Sequence, residues 1–109
     1  MIRFIFPFLL LATGCVQVQD STDKTARSTA TKAVTEAIYT RFPQVPKALI
    51  EPFTTCIIDG ATGSEINSLA QDAVFGVHEG TATVVRTILA RPATKQCLTA
   101  AAPSAAAIL

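Results

Sequence analysis

Apolar residues recur every three or four positions in several stretches of this chain, which is the spacing of an amphipathic helix. The first stretch sets in near Lys24 and ends before Pro43, because the residue that precedes a proline avoids helical geometry. Its stripe consists of Ala26, Ala30, Ala33, Val34, Ala37, Ile38 and Phe42. Frequent Thr and Ser between these positions lower helix propensity, so we expect the front of this helix to fray.

A short second helix is predicted to begin at Pro52, a residue suited to the first helical position, and to stop at Gly60. The third has the clearest signal, since Thr62 followed by Glu65 forms a capping box in which side chains and backbone amides exchange hydrogen bonds. Its expected apolar face consists of Ile66, Leu69, Ala70, Ala73 and Val74.

Thr81 is expected to cap a fourth helix, and Pro92 to open a fifth that carries Cys97 and Leu98. The fourth helix places Val84, Val85, Ile88 and Leu89 on one face, a spacing that favours helix over the period-two alternation of a strand. The sequence therefore predicts an all-α fold, a small bundle of four to five short helices over residues 24–100. The alanine-rich segment 101–109 is expected to be a flexible tail.

The first fifteen residues form a different kind of segment. Arg3 precedes an apolar run from Phe4 to Ala12, which has the length of a secretory signal and is too short for a membrane span of about 20 residues. The run ends in Ala12-Thr13-Gly14-Cys15, which resembles the lipobox of bacterial lipoproteins, although alanine stands where leucine is commonest. The alternatives are an ordinary cleaved signal followed by an unrelated cysteine, or a short buried helix.

The lipoprotein resemblance implies that residues 1–14 are removed and that Cys15 carries the lipid. Residues 15–23 would then be a lipidated tether between the bilayer and the domain. Several acyl chains hold a protein stably on a bilayer. Val16, in place of an aspartate after the cysteine, favours the outer membrane, with the inner membrane as the alternative.

Once Cys15 is assigned to lipid, Cys56 and Cys97 remain as an even pair in an exported chain, where disulfides persist. We therefore predict that they form a disulfide, which over this separation stabilises a fold by roughly 4 kcal/mol. Two free buried thiols or a metal pair are the alternatives. The absence of a CxxC spacing and the presence of a single histidine argue against metal.

Charge excludes one class of partner. The chain has 9 basic and 8 acidic residues, so removal of Arg3 with the leader leaves 8 against 8 and a formal balance of zero. Nucleic-acid binding requires a clustered basic face, and none is visible in the sequence. The expected partners are the bilayer, through Cys15, and an unidentified envelope protein.

Few residues have the chemistry of a catalytic or ligand site. His78 is the single histidine and is expected to be a solvated turn residue, with a hydrolase role as the remote alternative. Asp59 and Asp72 are interpreted as helix-end and solvent-face residues. The loop from Asp59 to Ser64 lacks the lysine of a phosphate loop and the alternating oxygens of a calcium loop, so capping explains it. No cofactor motif is present, and we expect no enzyme activity.

Four further segments resemble a small, largely uncharacterised group of alphaproteobacterial lipoproteins, some labelled succinate dehydrogenase. They are Arg41–Pro46, Cys56–Asp59, Glu65–Gln71 and Arg91–Cys97. The chain has no flavin fingerprint and no cysteine set for iron–sulfur clusters, so the activity is not carried over. The sequence favours a non-enzymatic lipoprotein that binds or braces an envelope component. The alternative is an accessory subunit of a membrane respiratory complex.

Overall fold

The computed structural model describes the backbone of residues 13–107 and the side chains of residues 24–105. Within that range the chain forms α-helices joined by short connections, and it contains no strand. The elements are α1 (Thr13–Arg41), α2 (Lys47–Gly60), α3 (Gly63–Phe75), α4 (Glu79–Leu89), α5 (Pro92–Ala101) and a C-terminal 3-10 helix (Pro103–Ala107). The predicted all-α bundle is therefore confirmed.

The 29-residue helix α1 is the longest element, about 43 Å at 1.5 Å per residue, and it packs against α2, α3 and α4. The predicted stripe from Ala30 to Phe42 is buried, and Ala26 packs against its edge. The helix starts at Thr13 rather than near Lys24. No glycine or proline occurs between Val16 and Phe42, so nothing in the sequence interrupts a helix once it has formed.

Helix α2 begins earlier in the chain than predicted. It begins at Lys47, so Pro52 lies inside the helix rather than at its first position. A proline there removes the hydrogen bond that its amide would donate to the carbonyl of Ala48. Ala48 is exposed, so water can satisfy that carbonyl. Phe53, Cys56 and Ile57 are buried.

Helix α3 begins with the predicted capping box, and Gly76, with φ of 118°, ends it in a conformation that favours glycine. Ile66 and Leu69 are buried, but Val74 is not part of the apolar face, since 72% of it is exposed. At 100° per residue Val74 lies about 80° from Ile66 and about 140° from Leu69, which places it off the stripe.

Helix α4 begins at Glu79, and its N-cap residue is His78 rather than the predicted Thr81. Thr81 instead lies at the third helical position, where its hydroxyl accepts a hydrogen bond from the amide of His78. Val85, Ile88 and Leu89 are buried as the spacing predicts.

Helix α5 opens on Pro92 and carries Cys97 and Leu98, as predicted. The segment after it differs from the flexible tail expected from Ala101 onward. Ala102 and Ala105 are buried in the core, and the 3-10 helix packs against α5. An alanine side chain is small enough for the backbone to lie close to its neighbours, so an alanine-rich segment can dock without an obvious apolar stripe.

No helix of the described region is long and apolar enough to cross a membrane.

Candidate functional site

The predicted leader and the lipobox residue Ala12 lie outside the described residues. Cys15 falls within the backbone range of α1, but its side chain also lies outside the described part. Its lipidation therefore stays a prediction from the sequence.

The other two cysteines are joined. Cys56 on α2 and Cys97 on α5 form a disulfide with an S–S distance of 2.08 Å and a Cα–Cα distance of 5.6 Å. Cys56 is fully buried, and Cys97 packs against the edge of the core. The bond closes a loop of 41 residues that contains α3 and α4, so it ties the second helix to the last. The predicted pairing is confirmed.

A carboxylate–guanidinium contact lies where α2 ends and α3 and α5 begin. Glu65 accepts a hydrogen bond from the amide of Thr62 as part of the capping box, and its Oε2 accepts one from Nη2 of Arg91 at 2.8 Å. Arg91 also donates to Glu65 Oε1, and its Nη1 donates to the carbonyl of Gly60 at 3.1 Å. One arginine thus links three helix ends.

Glu65 is largely shielded from solvent, and its contact with Arg91 lowers its pKa. The hydrogen bond from Arg91 is the main cause that lowers the pKa of Glu65 below its ordinary value, and burial opposes it. The same hydrogen bond raises the pKa of Arg91. The capping box is visible in the sequence as Thr-x-x-Glu, whereas Arg91 lies 26 residues away and no local pattern predicts its contact.

A second polar cluster joins α3 to α4. Thr81 is fully buried, and its hydroxyl donates to Asp72 Oδ2 at 2.7 Å. Asp72 Oδ1 lies 3.3 Å from His78 Nε2, and His78 Nδ1 accepts a hydrogen bond from the amide of Gly80 at 2.9 Å. Asp72 is therefore a bridging residue rather than the solvent-face residue that the sequence indicates.

This cluster contains an acid, an imidazole and a hydroxyl, which are the groups of a hydrolase triad, but they are connected differently. In a triad the hydroxyl donates to the imidazole and the carboxylate orients the opposite ring nitrogen. Here the hydroxyl of Thr81 donates to Asp72, and both ring nitrogens of His78 are engaged with other groups. The arrangement caps a helix and does not activate a nucleophile.

The loop from Asp59 to Ser64 is explained by capping, as expected, since Thr62 and Glu65 form a complete capping box there. Among the described residues, no group of three or more His, Cys, Asp and Glu side chains is placed to hold a metal ion.

A groove runs between α1 and α2 near their junction, and we call it the Tyr39 groove. Its volume is about 590 Å³, and its lining is mostly apolar. The lining residues are Thr31, Thr35, Tyr39, Lys47, Ile50, Glu51, Thr54 and Thr55. The Tyr39 ring is 59% exposed, and the Lys47 ammonium lies 5.9 Å from its centre.

Four of the residues that line the Tyr39 groove are threonines. Thr31 donates its hydroxyl to the carbonyl of Arg27 at 2.7 Å, and Thr35 donates to the carbonyl of Thr31 at 2.8 Å. A hydroxyl that bonds to its own helix in this way is partly satisfied by the backbone.

A separate apolar feature lies at the end of α3, where Phe75 is 86% exposed beside the exposed Val74. The following turn, from Gly76 to His78, leads directly into the cluster around Asp72.

No protein-family model, curated protein or solved structure matches this chain.

Proposed function

We propose that this chain is a non-enzymatic lipoprotein of the bacterial envelope, anchored through acylated Cys15, whose helical domain binds another envelope protein. The observation that carries the proposal is the disulfide between Cys56 and Cys97. Stable structural disulfides are typical of compartments outside the cytoplasm. The bond also occupies both cysteines of the domain, which leaves Cys15 as the single thiol for the lipid.

The polar side chains of the two clusters hold helix ends together, which supports a non-enzymatic role. Glu65 is held by a backbone amide and an arginine, and Asp72 is held by a hydroxyl and an imidazole. His78 is the one histidine that could act as a general base, and its Nδ1 accepts a hydrogen bond in the cap of α4. A catalytic base must keep an acceptor available for a substrate proton.

The Tyr39 groove is the surface that we assign to the partner. It is concave and mostly apolar, and Lys47 and Glu51 lie among its lining residues. Grooves of this kind between two helices accept the apolar face of a third helix, with charged residues at the rim fixing its orientation. The exposed Tyr39 ring is the expected anchor, since tyrosine is enriched among the residues that dominate binding energy.

The anchor is tested by growing cells with labelled palmitate. Wild-type protein should incorporate the label, and the Cys15→Ser variant should not; label that persists in Cys15→Ser contradicts the assignment. Density-gradient separation of the two membranes should then place the labelled protein with the outer membrane. Recovery with the inner membrane would correct the location and leave the anchor assignment intact.

Partner binding is tested by placing a photo-reactive side chain at Thr31, which lines the Tyr39 groove. The matched control position is Thr87 on α4, which is exposed and makes the same hydrogen bond to its own helix. Illumination of intact cells should give a crosslinked product for position 31 alone, and Tyr39→Ala should abolish it. Equal products at both positions would contradict a role for the groove. Respiratory subunits in the product would favour the alternative, an accessory subunit of a membrane respiratory complex.

A further inference from the structure

The cap of α4 is built from an imidazole, which is an uncommon choice because Ser, Thr, Asp and Asn are the preferred N-cap residues. His78 Nδ1 is the acceptor for the amide of Gly80, at 2.9 Å. An imidazole nitrogen accepts a hydrogen bond only when it carries no proton. The observed cap therefore requires the neutral ring.

The neighbours of the ring define which neutral form is present. Since Nδ1 accepts from an amide, the single proton of the neutral ring resides on Nε2. Nε2 lies 3.3 Å from Asp72 Oδ1, so this proton points toward a carboxylate. The other carboxylate oxygen of Asp72 is bonded to the hydroxyl of Thr81, so the orientation of the carboxylate is set from α4 itself.

Gly80 makes space for this arrangement. A Cβ atom at position 80 would lie 2.5 Å from Cε1 and 2.8 Å from Nδ1 of the His78 ring. A residue with a Cβ would therefore push the ring away, and glycine leaves room for it.

We propose that His78 is a proton-responsive cap, which closes the first turn of α4 when the ring is neutral and releases it when the ring is protonated. Protonation adds a hydrogen to Nδ1, so two donors would face each other at the contact with Gly80. Nε2 carries a hydrogen in both states and keeps Asp72 as its partner. The imidazolium therefore stays with Asp72 and leaves Gly80. This proposal is independent of the lipid anchor and of the Tyr39 groove.

The charged groups near the ring are Asp72 on α3 and Glu79 on α4, the latter paired with Arg41 of α1 and Arg86 of α4 at 3.0 Å each. The hydrogen bond with Arg86 lowers the pKa of Glu79, so Glu79 stays charged when the ring titrates. Imidazoles change charge between about pH 5 and 8, and this chain has one histidine. A conformational response in that range that disappears in a His78 variant is therefore assigned to this ring.

The released segment is the connection from Gly76 to His78 together with the first turn of α4, and it follows the exposed Val74 and Phe75. Acidification would loosen the backbone beside the most exposed aromatic ring of the described region, while α3 and the rest of α4 remain folded. The change stays local to the cap, because the buried hydroxyl of Thr81 keeps its hydrogen bond to Asp72 and still joins α3 to α4.

The test is NMR on the full chain labelled with ¹⁵N, at pH 7.5 and pH 5. At pH 7.5 the ring nitrogens should report a neutral ring protonated on Nε2, with a scalar coupling across the hydrogen bond from the Gly80 amide to Nδ1. At pH 5 the coupling should vanish. Loss of a cap of ordinary strength should lower the protection of the Gly80 amide, relative to its intrinsic exchange rate, by about fivefold to tenfold.

The matched control is His78→Asn, because asparagine is a good cap whose acceptor does not titrate in this range. Protection of the Gly80 amide in this variant should stay constant from pH 7.5 to pH 5. Gly80→Ala should remove the protection of the residue-80 amide at both values, since the ring is displaced. A ring protonated on Nδ1 at pH 7.5, or a protection loss of the same size in wild type and His78→Asn, would overturn the proposal.

Discussion

Reducing the disulfide between Cys56 and Cys97 should lower the free energy of unfolding by about 4 kcal/mol. In the chain-entropy model a crosslink restricts the unfolded chain, and the effect grows with the number of residues in the closed loop. The separation here is 41 residues, which gives about 4 kcal/mol at 25 °C. A domain of this size has a total stability of about 5–15 kcal/mol, so the bond accounts for a large share of it.

Urea denaturation of the oxidised and reduced protein, followed by far-ultraviolet circular dichroism, measures this difference directly. For a small domain the free energy falls by about 1–3 kcal/mol per molar urea, so the midpoint should move down by about 2 M. The slope should also steepen on reduction, because the unfolded chain without its loop exposes more surface. Reduction leaves every other atom in place, so the comparison isolates the crosslink.

The double variant Cys56→Ala/Cys97→Ala is the control for effects of the reductant. It should unfold near the midpoint of the reduced wild type and should not respond to reductant. A difference below about 1 kcal/mol between oxidised and reduced wild type would refute the entropic reasoning. It would mean that α2 and α5 remain close in the unfolded ensemble without the bond.

Four further predictions concern substitutions at individual positions. Folding lowers the pKa of Glu65, so its ionised form stabilises the fold above the ordinary carboxyl value of 4.5. That stabilisation is lost as the pH falls through the lowered pKa of the folded protein. Glu65→Gln should lower the free energy of unfolding by about 1–3 kcal/mol at pH 7, and urea titrations should show a weaker dependence of stability on acid pH. Thr94 has a buried hydroxyl without a hydrogen-bond partner, so Thr94→Val should raise the free energy of unfolding by about 1 kcal/mol, and an unchanged midpoint would contradict this. A Cβ at Gly60 would overlap that hydroxyl, so the loss caused by Gly60→Ala should shrink in a Thr94→Ala background, which a double-mutant cycle measures. Phe75→Ser should change the free energy of unfolding by less than about 0.5 kcal/mol, because the ring is exposed. A larger loss would show that the ring packs against the protein in solution.

Much of the fold is predictable because its signals are local. The capping box at Thr62 and Glu65 lies within four residues, and the periodic stripe of α1 needs only the helical repeat. The pairing of Cys56 with Cys97 follows from parity and compartment rather than from geometry.

The errors have physical causes of a different kind. Pro52 favours the first helical position, but the five residues ahead of it are also helical. The hydrogen bond that Pro52 cannot donate leaves the carbonyl of Ala48 free, and Ala48 is exposed to solvent. At the C terminus, the burial of Ala102 and Ala105 depends on where the backbone passes, which composition does not report.

The candidate site was the least predictable part. His78 was expected to be a solvated turn residue, and it is exposed in the connection between α3 and α4. Its role as a cap depends on the space left by Gly80. The contact of Arg91 with Glu65 and that of Thr81 with Asp72 join different helices. Contacts of this kind exist only after the helices have packed, so a local pattern cannot indicate them.

The disulfide also determines how the chain would respond to tension. Force applied through the two ends enters at α1 and at the C-terminal 3-10 helix, and it passes from α2 to α5 directly through the sulfur atoms. The 41 residues of the closed loop are shielded from that force while the bond is intact. At about 3.4 Å per residue they would otherwise add about 140 Å of extended chain. Reduction would therefore add the whole of this loop to the length of chain that can be drawn out.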